Sequence, residues 1–151
     1  MLRLRPAVQD DLADIFALIG ELADYEHLRD QMVGSSEDLR RHLFGEHPYA
    51  RVIMGYWGEE LAGFALYFFS YSTFLCRPGV YLEDLFVRPA FRGLGVGLGL
   101  LQELERQARS RGCGRFEWSV LDWNQSAIDF YRRFGAHPND GWTLYRKTLI
   151  P

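Results

Sequence analysis

Tyr81–Gly99 reads YLEDLFVRPAFRGLGVGLG, and its two halves follow different periods. VYLEDLFV, residues 80–87, predicts a strand bounded by Pro78-Gly79 before it and Pro89 after it. Gly97 to Arg111 predicts a helix with Leu98, Leu101, Leu104 and Ala108 on one face, closed by Gly112. Between them lies a tight, glycine-rich turn. Such a turn opening a helix suits an anion, because free N–H groups point at it, the helix dipole favours negative charge, and glycines let a diphosphate approach the backbone. Spacing excludes two familiar anion loops. A Walker loop needs GxxxxGK[ST], yet the only lysine is Lys147. A GxGxxG dinucleotide loop fails because glycines 93, 95, 97 and 99 alternate, leaving Leu98 or Leu100 where the third is needed.

Upstream, Leu2 to Arg5 is a short alternating run stopped by Pro6. Asp10 then stands as an N-cap ahead of Leu12, Ile15, Phe16, Ile19, Leu22 and Ala23 at helical spacing. Ser35 or Ser36 caps a second helix carrying Leu39, Leu43 and Phe44, which ends near Gly45 and Pro48. From Arg51 the period is two: RVIMGYW, a turn at Gly58-Glu59-Glu60, and LAGFALYFFSYS predict an antiparallel hairpin. Downstream, RFEWSVL predicts a strand, Gln125 to Phe134 a helix closed by Gly135, and WTLYRKTL a last strand. The order is β-α-α-β-β-β-α-β-α-β, a mixed α/β arrangement in a single domain spanning residues 1–151.

Composition agrees with one packed domain: 151 residues, 48% hydrophobic, 15% aromatic and 25% charged, outside the range of disordered, collagen-like or disulfide-stapled chains. Apolar runs stop well short of the roughly 18 residues of a spanning helix. MLRLRPAVQDD also lacks a signal peptide's apolar stretch, so the expectation is a cytoplasmic protein without a membrane partner. Cys76 and Cys113 have neither CxxC spacing nor a histidine at metal spacing, and His42 and His47 stand outside any HExxH, so no metal is expected. The net charge of −3 argues against nucleic acid as the partner. Its distribution says more: residues 1–46 hold ten acidic residues against five arginines, whereas residues 88–115 hold six arginines against two glutamates. A cationic ligand at one end and an anionic one at the other would match this pattern.

Arg92-Gly93-Leu94-Gly95-Val96-Gly97 resembles the Arg/Gln-x-x-Gly-x-Gly/Ala loop of the GNAT superfamily of N-acetyltransferases, whose backbone amides hold the pyrophosphate of acetyl-CoA. One strand later, Asp122 to Ala136, DWNQSAIDFYRRFGA, resembles the same superfamily's Asn-x-x-Ala/Ser-x-x-Phe-Tyr-x-x-x-Gly signature. The resemblance narrows to the diamine and polyamine (spermidine/spermine) acetyltransferases and their thialysine-acetylating relatives. It runs nearly end to end, through Glu21–Glu26 (ELADYE), Phe44–Pro48 (FGEHP), Gly63–Phe68 (GFALYF) and Tyr81–Asp84 (YLED). It implies a central, mostly antiparallel twisted sheet splayed at the cofactor site, acetyl-CoA as cosubstrate, and a homodimer. By position it implies that Leu85, Phe86, Val87, Arg92, Gly93, Leu94, Gly95, Val96, Gly97, Leu98, Asn124, Gln125, Ser126, Ala127 and Tyr131 meet CoA. Tyr25, Glu26, Glu83, Glu117, Trp118 and Ser119 would meet a small cationic amine, and Tyr131 would be the general acid. Read from the residues alone, Asn124 is either an N-cap or a ligand contact, and Tyr131 either an acid or a core aromatic beside Phe130 and Phe134. Two positions depart from the polyamine type: Leu98 replaces a frequent Ser after the glycine loop, and Phe74 stands where that type tends to have Trp.

An alkylamine with a pKa of about 10.4 is a free base in only roughly one molecule per thousand at neutral pH, so a base is needed. Glu83, mid-strand beside the turn, is the candidate, paired with Tyr131 as acid for the leaving thiolate; Asp84, on the opposite face by strict alternation, reads as structural. No GxSxG occurs and neither cysteine has a histidine base, so direct attack on acetyl-CoA is expected over an acyl-enzyme. The alternatives are acetylation of a protein N-terminus or an aminoglycoside, or a catalytically silent CoA-binding module.

Overall fold

The computed structural model describes residues 1–151. In chain order the elements are β1 (Leu2–Pro6), α1 (Leu12–Tyr25), α2 (Ser36–Phe44), β2 (Arg51–Trp57), β3 (Glu60–Ser72), β4 (Arg77–Val87), α3 (Val96–Ser110), β5 (Arg115–Trp118) and α4 (Gln125–Arg133). The chain divides into two compact units, Met1–Ser119 and Val120–Pro151. The first holds a five-stranded sheet in the order β1-β2-β3-β4-β5, antiparallel except for the parallel β4–β5 pair.

Alternation along the strands assigns the two faces of this sheet. Val52, Met54, Phe64, Leu66 and Phe86 form one buried cluster with Ile15, Leu18 and Leu22 of α1 and Leu43 of α2. On the opposite face Tyr67 donates to Gln107 of α3 at 2.9 Å, and Gly55 leaves room for Val96 at the start of that helix. Leu100, Leu101 and Leu104 are fully buried there. The sheet is therefore sandwiched, with α1 and α2 on one side and α3 on the other.

Asp11, rather than Asp10, is the N-cap of α1, since Gln9–Asp11 first makes a single 3₁₀ turn. The Asp11 carboxylate is taken by Arg5, at 2.7 and 2.9 Å, and by the Val8 N–H at 2.8 Å. These bonds tie β1 to the helix start and lower the acid's pKa, the Arg5 hydrogen bonds being the largest cause. At its other end α1 closes on His27, a non-glycine residue in the left-handed region at φ 60°, with the Leu28 N–H donating to the Ala23 carbonyl.

The predicted last strand is not formed. After α4 the chain has neither helix nor strand to Pro151, and Trp142, Leu144, Tyr145, Leu149 and Ile150 are exposed. Alternating apolar residues supply strand propensity, but a strand also needs an edge to complete its ladder, and these residues pair with none. The strand after α3 is likewise shorter than RFEWSVL, ending at Trp118.

Candidate active site

The site begins where β4 and β5 part. Their parallel pairing covers only Gly79–Leu82 against Arg115–Trp118, whereas β4 runs on to Val87 with β3 alone beside it. On the β5 side the backbone of Glu83 to Val87 therefore has no strand neighbour; the Val87 carbonyl accepts from Arg92 Nε at 2.9 Å, and the other N–H and C=O groups that point away from β3 can serve a ligand. Opposite, Gly63 pairs with Val87, and a Cβ there would collide with the Phe86 carbonyl, so glycine lets the two strands close up.

After Val87 the chain turns through Pro89–Phe91, held by Arg88. Its guanidinium makes a two-point ion pair with Glu21 of α1 at 2.9 and 3.1 Å and donates to the Leu61 carbonyl at 3.3 Å. The glycine loop follows. Gly93 at φ 79° and Gly95 at φ 88° occupy the left-handed region, and nothing lies within 4 Å of where a Cβ would stand on either. Gly95 is the N-cap of α3 and the first intrahelical bond runs from Gly99 N–H to its carbonyl, leaving Val96, Gly97 and Leu98 N–H groups without a helical acceptor. Open space in front of free donors fits a diphosphate laid against the main chain. Gly99 has a different role: a Cβ there would meet Leu2, so it permits close packing of α3 on β1.

On the face covered by α1 a second feature appears. Leu66 pairs with Asp84 and Tyr67 with Leu82, so Glu83 is the extra residue of a β-bulge. The bulge shifts the alternation by one, so Leu82, paired with Tyr67, and Asp84, paired with Leu66, fall on opposite faces of the sheet. Asp84 shares the face of Leu66 and Phe86, half-buried, within electrostatic reach of Glu83 and of Glu26 just beyond α1. Burial first, then those two carboxylates, push its carboxyl up to about 7, and burial also raises Glu26. Glu83 itself is exposed. Asp84 thus belongs to a carboxylate cluster with Glu83 and Glu26. Two adjacent acids in an otherwise apolar strand were the available signal.

Of the other residues singled out, Ser119 shares a hydrogen bond with the Tyr81 hydroxyl at 2.9 Å, beside the parted strands. Glu117 pairs with Arg115 at 2.9 Å, and Trp118 packs edge-on against Phe116 at 4.8 Å. Tyr25 lies 6.4 Å from Phe86, ring centre to ring centre. In the second unit Asn124 caps α4, its side-chain oxygen accepting the Ala127 N–H at 3.3 Å. Gln125 and Ser126 are exposed in the first turn of α4. Tyr131 is half-buried near its C-terminal end, its ring 5.6 Å from Phe130.

An anion seat beside a parted strand, with a carboxylate cluster on that same strand, suits transfer of a group from an anionic donor to a cationic acceptor. Comparison with known proteins gives this class its family: the pattern of the Acetyltransferase (GNAT) family matches residues 14–136, and the chain belongs to that family. It is an N-acetyltransferase. A thialysine N-epsilon-acetyltransferase from Sus scrofa is 37% identical over 95% of this chain and 90% of its own. Spermidine/spermine N(1)-acetyltransferase-like protein 1 from Homo sapiens is 32% identical over 95% of this chain and 22% of its own. Among solved structures, an integron cassette protein from V. cholerae superposes with a TM-score of 0.81 and 27% identity, over 97% of this chain and 92% of that one.

Proposed function

We propose that the protein transfers the acetyl group of acetyl-CoA to a primary amine of a small cationic acceptor, a diamine, polyamine or thialysine-like compound. The observation that carries the acceptor class is the gathering of Glu26, Glu83 and Asp84 beside the parted strands. Three carboxylates with one held near pH 7 form a site that a dication neutralises. The names of the thialysine and spermidine/spermine relatives support the same class.

The donor, when bound, supplies an activated acetyl thioester. Leu85, Phe86 and Val87 offer it the free edge of β4, and the N–H groups from Gly93 to Leu98 take its diphosphate. Glu26 and Asp84 hold the acceptor's ammonium groups, and Glu83, exposed at the bulge, removes the proton from the reacting amine directly or through water. Tyr131 gives a proton to the departing sulfur. The family match across residues 14–136 supports treating both compact units as one catalytic domain. A homodimer and a cytoplasmic location complete the proposal; no helix is long and apolar enough to cross a membrane.

The test is an acetyl-CoA consumption screen against diamines, polyamines, thialysine, monoamines, aminoglycosides and an N-terminal peptide. Turnover confined to the dicationic amines is expected, and Glu83→Gln should depress kcat for each of them. Turnover only on peptide or aminoglycoside, or none on any amine, would refute the acceptor class.

A further inference from the structure

Arg92, the first residue of the glycine loop, is committed in a direction the loop's anion seat does not explain. Its Nε donates to the Val87 carbonyl at 2.9 Å, across the turn from β4. Its guanidinium lies over the Tyr25 ring, 4.9 Å from the centre, and 5.6 Å from the centre of Phe86. The two rings are tilted by 54°. A flat, delocalised cation stacks on such faces where a lysine ammonium would not. Tyr25 is the last residue of α1, and Glu26, next to it, is the residue whose carboxylate acts on Asp84. A continuous physical link therefore runs from the loop through one arginine and one ring to the carboxylate cluster.

We propose that Arg92 is a positioning residue that latches the cofactor loop to the end of α1, so that the seating of CoA and the placement of the acceptor-binding Glu26 are coupled. The proposal rests on the acetyltransferase reading above. Displacing the guanidinium releases Tyr25, and the helix end carrying Glu26 loses its tie to β4. By reciprocity, loss of the ring on the acceptor side loosens the loop on the donor side.

The measurement is calorimetric titration of CoA into the wild type, Arg92→Gln, Tyr25→Leu, Tyr25→Phe and the Arg92→Gln/Tyr25→Leu double variant, with a thermal melt of each. Tyr25→Leu is expected to weaken CoA about two- to tenfold, the range of a stacked cation, although it removes no donor to phosphate. Tyr25→Phe, which keeps the ring, should restore wild-type CoA affinity. The double variant should bind no more weakly than Arg92→Gln alone, because both substitutions break one link. Arg92→Gln should also raise KM for a diamine more than it lowers kcat. Tyr25→Leu with wild-type CoA affinity, or effects that multiply in the double variant, would overturn the latch and leave Arg92 a simple phosphate ligand. A lowered melting temperature with unchanged CoA affinity would overturn it too, reducing the stack to packing. Wild-type protein that binds no CoA at all would overturn the acetyltransferase reading itself.

Discussion

Asp84 is a carboxylic acid with two carboxylate neighbours, and its titration carries consequences for stability as well as binding. Unfolded, it ionises near its ordinary 3.8; folded, near about 7. Between those values the folded chain keeps a proton that the unfolded chain has released, so stability falls as pH rises through that window and levels off above it. Asp84→Asn should flatten that slope and stabilise the ligand-free protein above pH 7 by on the order of 1–3 kcal/mol. Urea unfolding at pH 5 and pH 8 measures this, and an unchanged pH slope in the variant would show that Asp84 is not the titrating group. The acceptor acts in the opposite sense: a bound dication favours the ionised acid, so KM for a diamine should fall as pH rises through about 7. Tyr131 belongs to the same scale. If it protonates the leaving sulfur, Tyr131→Phe lowers kcat on the order of 10²-fold with little change in KM for acetyl-CoA. A wild-type kcat would leave it a packing residue.

At the scale of elements, α3 and β4 act together. The helix supplies unpaired N–H groups because Gly95 caps it at φ 88°, a conformation that strains a β-branched residue by roughly 1–2 kcal/mol. Gly95→Val is thus expected to fold yet lose CoA binding, since the strain and the new side chain both disturb the anion seat. Calorimetry on the folded variant checks this, and unchanged affinity would exclude the loop as the diphosphate site. The strand needs its own glycine: Gly63→Ala drives a Cβ into the Phe86 carbonyl, costing on the order of 1–3 kcal/mol and displacing the edge that Leu85 to Val87 present. Its melting temperature should fall together with its affinity for CoA.

Across the whole molecule, charge is segregated along the chain. The acidic stretch of residues 1–46 includes Glu26, proposed for the acceptor, and the basic stretch of residues 88–115 begins with the turn and loop proposed for the donor. Several of these charges are spoken for: Arg88 by Glu21, Arg106 by Glu103, Arg109 by Glu105. With these charges paired within the fold, the proposed recognition rests on local groups rather than on the overall field. A charge-assisted contact to an ammonium is worth about 1.5–3 kcal/mol, so Glu26→Gln should lower kcat/KM for a diamine roughly 10- to 150-fold and leave a monoamine nearly unaffected. Equal losses for both would remove Glu26 from recognition of the second charge.

Local pattern was enough for much of this protein. The change of period at the ends of Tyr81–Gly99 placed the end of β4, the turn and both ends of α3 within a residue, because alternation and helical spacing are properties of neighbouring residues, while β4 begins three residues before Val80, at Arg77, and takes in Pro78 and Gly79. The cap at Asn124 and the glycine loop were legible for the same reason, each being a contact within one turn of chain. Three features were decided only in three dimensions. The terminal WTLYRKTL has strand-like alternation but stays unpaired, since no edge takes up its hydrogen bonds. Leu82 and Asp84 fall on opposite faces because a single bulge at Glu83, set by the register of β4 against β3, shifts the alternation by one. Arg92 reached Tyr25, 67 positions earlier in the chain, because the sheet and α1 bring the loop and the helix end together. Register and long-range packing depend on partners that a single strand or loop does not contain, so those features became visible only when the chain was folded.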